Sequence, residues 1–156
     1  MEIKEHIRSQ YQASLAMLRQ AVIQCPDELW EDASYRNVFW RVVYHALYYA
    51  HLYLQPRMED FTAWDKHRQD YHEMQPGGEP YTKAEILEYC ELIRQQMDRL
   101  VPASDLEAPS GFHWLPFNRM ETHIYNIRHL HQHIGELSER LGVAADIDVE
   151  WVTRCD

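Results

Sequence analysis

Residues 123–137 read HIYNIRHLHQHIGEL. Within and just beyond this stretch, Ile127, Leu130, Ile134, Leu137 and Leu141 are separated alternately by three and four positions. That is the period of a helix face packed almost parallel to its neighbours. Upstream, Asn118 is a good N-cap and Glu121 follows it by three positions. Downstream, Gly142 is the expected stop. The spacing therefore predicts a helix from Asn118 to about Leu141.

Working outward, residues 39–54, FWRVVYHALYYAHLYL, are apolar on most of a helical circumference. A helix of that kind, from Val38 to Leu54 and closed by Pro56, is expected to be buried against more than one neighbour. Ile3, Ile7, Tyr11, Leu15, Leu18 and Val22 recur every three or four positions and define an amphipathic helix from Ile3 to Cys25, stopped by Pro26 and Asp27. Thr82 and Glu85 read as a capping box. Behind them Ile86, Cys90, Ile93, Met97 and Leu100 form the stripe of a further helix ended by Pro102. The fold class expected is all-α, a four-helix bundle with long inter-helix connections, as a single domain over residues 1–156. The connection from Arg57 to Pro80 has room for one short helix. The tail, with Ile147, Val149 and Trp151 at alternate positions, is expected to cross the helices as an extended segment.

Composition narrows the function classes. The chain has 156 residues, 46% hydrophobic and 26% charged, which is ordinary for a globular domain. Its formal charge is −10 and no Lys/Arg block is present, so no nucleic-acid partner is expected. The first residues, MEIKEHIRSQ, lack an apolar leader, and no later run is long and apolar enough to span a membrane, so no membrane partner and a cytoplasmic location are expected. Cys25, Cys90 and Cys155 are odd in number, without CxxC spacing, and are expected as free thiols. Ten histidines, with 5 Trp, 10 Tyr and 4 Phe, stand out, and the aromatic residues crowd around the histidine-bearing segments.

His129 and His133 lie four apart on one helix face, one turn from each other and beside the apolar stripe together with Asn126. Two imidazoles so placed can hold one metal ion but need a third ligand from another element, because catalytic zinc sites commonly use three protein ligands. The second long helix offers His45, whose face carries Val42 and Tyr49. A polar ring there without a partner costs a few kcal/mol, and coordination would satisfy it. His51 points about 120° away and is passed over because the surroundings of His45 are the more apolar. The competing reading is that an i, i+4 histidine pair simply sits on a solvent-facing helix. His123, in the middle of the apolar stripe, is expected to be structural or to support a ligand from behind. His131 lies near the other edge, and His6, His67, His72 and His113 are expected on the surface or in loops. No HExxH, di-iron ExxH pair, P-loop or GxSxG elbow is present.

The patterns FWRVVYHALYYAHLYL and ETHIYNIRHLHQHIGEL, in that order, resemble the DinB/YfiT-like metal-binding four-helix bundles over nearly the whole chain. The resemblance implies a site in which His45, His129 and His133 bind one divalent ion, with open positions for water or substrate. Many relatives read RHIQHHIGQL where this chain reads RHLHQHIGEL, which displaces a histidine to His131 and places Glu136 where glutamine is usual. The family's better understood members are thiol-dependent transferases and related metal-dependent hydrolases, and dimers are frequent. By this resemblance the expected partners are a small-molecule substrate, a low-molecular-weight thiol among them, and a second copy in a homodimer.

The histidines themselves leave zinc, nickel, iron and copper open, with zinc, nickel or iron the cofactors carried forward. Two functions stay open at this point. One is a metal-dependent transferase or hydrolase, with Glu121, Asn126 and Glu136 as orienting groups and Tyr49, Trp64, Phe112 and Trp114 as pocket walls. The other is a non-catalytic, dimeric helical interaction or stress-response module with a structural or vestigial metal site.

Overall fold

The computed structural model describes residues 2–156. Among them the chain is all-helical. Four long helices, α1 (Ile3–Gln24), α3 (Phe39–Leu54), α4 (Lys83–Ala103) and α5 (Arg119–Ala145), are joined by irregular connections. A one-turn helix, α2 (Asp27–Trp30), lies in the first connection and a 3-10 turn (Met58–Asp60) in the second. No strand forms among the described residues, and no helix of theirs is long and apolar enough to cross a membrane.

The helices pack in a cycle, α1 against α4 and α5, and α3 against the same two. α3 explains the arrangement: thirteen of its sixteen residues are buried, so it needs cover on nearly all sides. The common core includes Tyr11, Leu15 and Leu18 of α1, Phe39, Val43 and Leu47 of α3, Ile86, Ile93 and Met97 of α4, and Leu130, Ile134 and Leu137 of α5. Truncating a side chain such as Leu47 in such a core costs roughly 2–5 kcal/mol.

The helix starts follow the local chemistry. Thr82 forms a reciprocal capping box with Glu85, and the Asn118 side chain accepts from the Glu121 N–H. The ends depart from expectation. Gly142 does not stop the last helix, which runs on to Ala145 and closes at Asp146 in the left-handed region (φ 54°). There the Asp146 N–H bonds to Gly142 O and the Ile147 N–H to Leu141 O, while Ile147 packs on the core. Asp tolerates this conformation through its short polar side chain, so the hydrophobic docking of Ile147, and not the available glycine, fixes the end. Pro102 lies inside the last turn of α4 rather than beyond it. The tail is extended and crosses α1, held by Gln20 to both the O and the N–H of Glu150 and by Gln10 to Thr153 O.

The long connection before α4 is fastened to α3. Arg41, buried, lies between the rings of Trp40 and Tyr71 and donates to Tyr71 O and Gly77 O. Gly78 has φ +87°, and a Cβ on it would sit 2.7 Å from the Tyr71 hydroxyl, so only glycine lets this turn close on Arg41. Tyr81 completes the fastening by donating to Lys66 O and accepting from the Arg68 N–H. His72 is thereby held over the middle of α3.

Candidate metal centre

Three imidazoles from two helices meet between α3 and α5. His129 Nε2 lies 3.3 Å from His45 Nε2 and 3.2 Å from His133 Nε2, and one ligand atom from each ring falls within 4.8 Å of the others. Nitrogens at the corners of a tetrahedron with metal bonds of about 2.0–2.1 Å stand about 3.3 Å apart, so the two edges at His129 match those of a tetrahedral site. These are the three residues expected from the sequence, and they are the one His/Cys/Asp/Glu cluster of this kind among the described residues.

Each outer ring is turned by a bond from its far nitrogen. His45 Nδ1 lies 2.7 Å from His72 O. A carbonyl only accepts, so Nδ1 carries the hydrogen and Nε2 presents a lone pair. His133 Nδ1 lies 3.1 Å from Glu136 Oε2, with the same consequence. Glu136 is itself approached by Arg140 Nη2 at 3.5 Å, and Arg140 is fixed by a bond to Asn37 O and by stacking on Tyr35. His129 Nδ1 is buried without a partner. A neutral His129 can place one hydrogen between two lone pairs, or none, leaving one or more inward lone pairs unsatisfied. A divalent cation satisfies all three together, so the donor set fits such an ion.

Burial favours the neutral, ligating form of His45 and His129. Burial pulls the His45 imidazolium down to about 4, against the opposing hydrogen bond to His72 O. Burial, reinforced by His133 and His45, pulls His129 to about 4. Tyr49 walls the group, its ring centroid 4.9 Å from that of His45 and 5.6 Å from that of His129. Burial raises the Tyr49 phenol, which stays a protonated donor at neutral pH. His45 and His129 remain partly exposed, and His133 is 7% exposed.

Other expectations need correction. His51, passed over because the neighbours of His45 are the more apolar, is the more deeply buried of the two α3 histidines, at 4% exposure. It bonds to the Tyr89 hydroxyl, and burial lowers it to about 4. His45 joins the cluster because it faces α5, which the apolarity of its neighbours in sequence does not encode. His67 and His72 lie in the connection before α4, as expected of loop residues, but are half-buried there, with His72 stacked on Tyr48 and His67 bonded to the Tyr44 hydroxyl. Asn126 donates to Ala50 O across the helix pair and Glu121 is exposed in the first turn of α5, so of the three orienting candidates only Glu136 touches a triad ring. Trp64 stacks on Tyr89, while Phe112 and Trp114 pack with Tyr53, so none of the three walls the triad as expected. His123 is structural: fully buried, it meets the Tyr11 hydroxyl and Ser104 Oγ and supports no triad ring. The contact that sequence reasoning missed is His72 O. It is a backbone group, so no side-chain pattern announces it.

No protein-family model, curated protein or solved structure matches this chain.

Proposed function

We propose that the chain is a DinB/YfiT-like four-helix bundle in which His45, His129 and His133 hold one divalent ion, zinc, nickel or iron, with coordination positions left open. On this reading it is a metal-dependent transferase or hydrolase acting on a small molecule, a low-molecular-weight thiol among its cosubstrates, and it works as a homodimer. The observation that carries the reading is the convergence of three Nε2 atoms while the far nitrogens of His45 and His133 are turned onto oxygen acceptors. The cyclic packing of four long helices and the two histidine-bearing helical patterns support the bundle assignment.

When bound by three neutral imidazoles, a divalent ion supplies Lewis acidity and a lowered pKa for a water or thiol in an open position. The chain's own groups do the positioning. His72 O and Glu136 lock the tautomers of His45 and His133. Arg140 holds Glu136 in place. Tyr49 offers a protonated phenol beside the rings and shields them from bulk water.

A non-catalytic metal-binding module is the second reading. It is favoured by the placement of the surface clefts of about 470 and 580 Å³, whose walls include no triad residue. Elemental analysis of untagged protein, run beside His133→Ala, tests the premise common to both. One ion per chain in the parent and loss from the variant is the expected result. Equal metal content in the two contradicts the assignment.

A further inference from the structure

Arg119, the first residue of α5, is 4% exposed and faces no carboxylate among the described residues. Arg8, Arg57, Arg94, Arg140 and Arg154 each have one within 4.0 Å. The Arg119 guanidinium donates instead to three carbonyls: Ser110 O at 3.0 Å, Tyr53 O at 3.1 Å and Leu54 O at 3.4 Å. Two of these belong to the last turn of α3, whose dipole offsets part of the charge. A guanidinium has five N–H donors, so the three bonds leave capacity unused, and a full positive charge stays in low dielectric without an anion.

Arg119 also lines a cleft of about 470 Å³ between the end of α3, the end of α4 and the connection into α5. That volume lies in the range of small-molecule sites. Its walls are largely aliphatic, from Leu54, Leu100, Ala103, Ala108 and Pro109, and Ser104 adds a hydroxyl. One wall is preformed. Gly111 (φ +83°) lies so close that a Cβ would stand 2.0 Å from Pro56 O, and the Met58 N–H bonds to Gly111 O. Arg41, the other buried arginine lacking a carboxylate, differs because two aromatic rings and two carbonyls enclose it.

At the rim, Arg57 is already paired with Asp60. The Asp105 carboxylate, which accepts from the Glu107 N–H, adds negative charge. That charge disfavours multiply charged anions and leaves the buried guanidinium to select a single one. We propose that this cleft binds a small amphiphilic monocarboxylate, its head on Arg119 and Ser104 and its aliphatic body along Leu54 and Leu100. Arg119 and His129 are ten positions apart, about 15 Å along α5, so the site is separate from the histidine cluster.

Calorimetric titration of the full chain, stripped of metal by a chelator, with octanoate, octan-1-ol and octylammonium tests this. Arg119→Met risks the fold because three carbonyls lose their donor, so the variant of choice is Ala103→Trp, which fills the cleft from an exposed position. Octanoate is expected to bind once per chain, about tenfold or more tighter than octan-1-ol, with octylammonium weaker still. Ala103→Trp should melt like the parent and lose about tenfold or more of the octanoate affinity. Amide shifts in the parent should gather at Ala103, Ser104 and Ala108. Equal binding of octan-1-ol, undiminished binding by Ala103→Trp, shifts centred on His45 and His129, or no saturable octanoate binding would each overturn the proposal.

Discussion

Two sets of interior-facing histidines, buried or half-buried, sit within a few turns of each other. His51 and His123 each meet a tyrosine hydroxyl, Tyr89 and Tyr11 respectively, and His123 also meets Ser104 Oγ. His45, His129 and His133 turn one nitrogen each toward one another. Depth of burial does not mark the ligand set, since His51 and His123 are the more enclosed. The difference lies in what faces the inward nitrogen. A hydroxyl can donate or accept and so satisfies a single neutral ring, whereas imidazole lone pairs facing one another call for a cation.

The largest expected effect comes from treating one member of each set alike. His129→Ala should reduce metal affinity by on the order of 100-fold or more, since it removes the ring common to both short contacts. His123→Ala should leave metal content unchanged and lower stability by roughly 2–4 kcal/mol, through a cavity and unpaired hydroxyls. Metal analysis and urea unfolding on both variants would break the contrast if the two behaved the same way.

Next in size is Glu136→Gln. It keeps the shape but weakens the bond that orients His133, and should cost roughly 10- to 100-fold in metal affinity with little change in unfolding. Competition with a chromophoric chelator measures it.

The most gradual effect is on pH dependence, spread over more than two pH units. His51 is lowered to about 4 in the folded chain, below its ordinary value near 6.5. Between those values the unfolded state binds the proton and the folded state does not, so stability rises with pH there. It falls as pH drops from about 6.5 toward 4, by up to about 1.4 kcal/mol per pH unit for this one group. His51→Phe should flatten that limb relative to the parent in metal-free protein, as read from urea midpoints at successive pH values. An unchanged slope would remove His51 from the account.

The legible parts of the molecule are those in which side chains repeat or cap. The three-and-four spacing of Leu130, Ile134, Leu137 and Leu141, and the caps at Thr82 and Asn118, locate long helices from the sequence alone. α2 escapes because four residues after Pro26 hold no period. The true end of α5 escapes because Ile147, by docking on the core, lets Asp146 take the left-handed turn for which Gly142 is the better-suited residue. At the site, the i, i+4 pair and the lone His45 are visible in sequence. Which of His45 and His51 faces α5 depends on how α3 is rotated between its neighbours. The His72 carbonyl arrives through a connection fixed by Arg41 and Tyr81, long-range contacts that no local pattern carries.

The most direct test of the convergent triad is X-ray absorption at the metal edge of zinc-loaded protein at one ion per chain. Three imidazole nitrogens at about 2.0–2.1 Å from the ion, falling to two in His45→Ala, is the predicted result. A first shell containing sulfur, or fewer than three imidazoles in the parent, would contradict it.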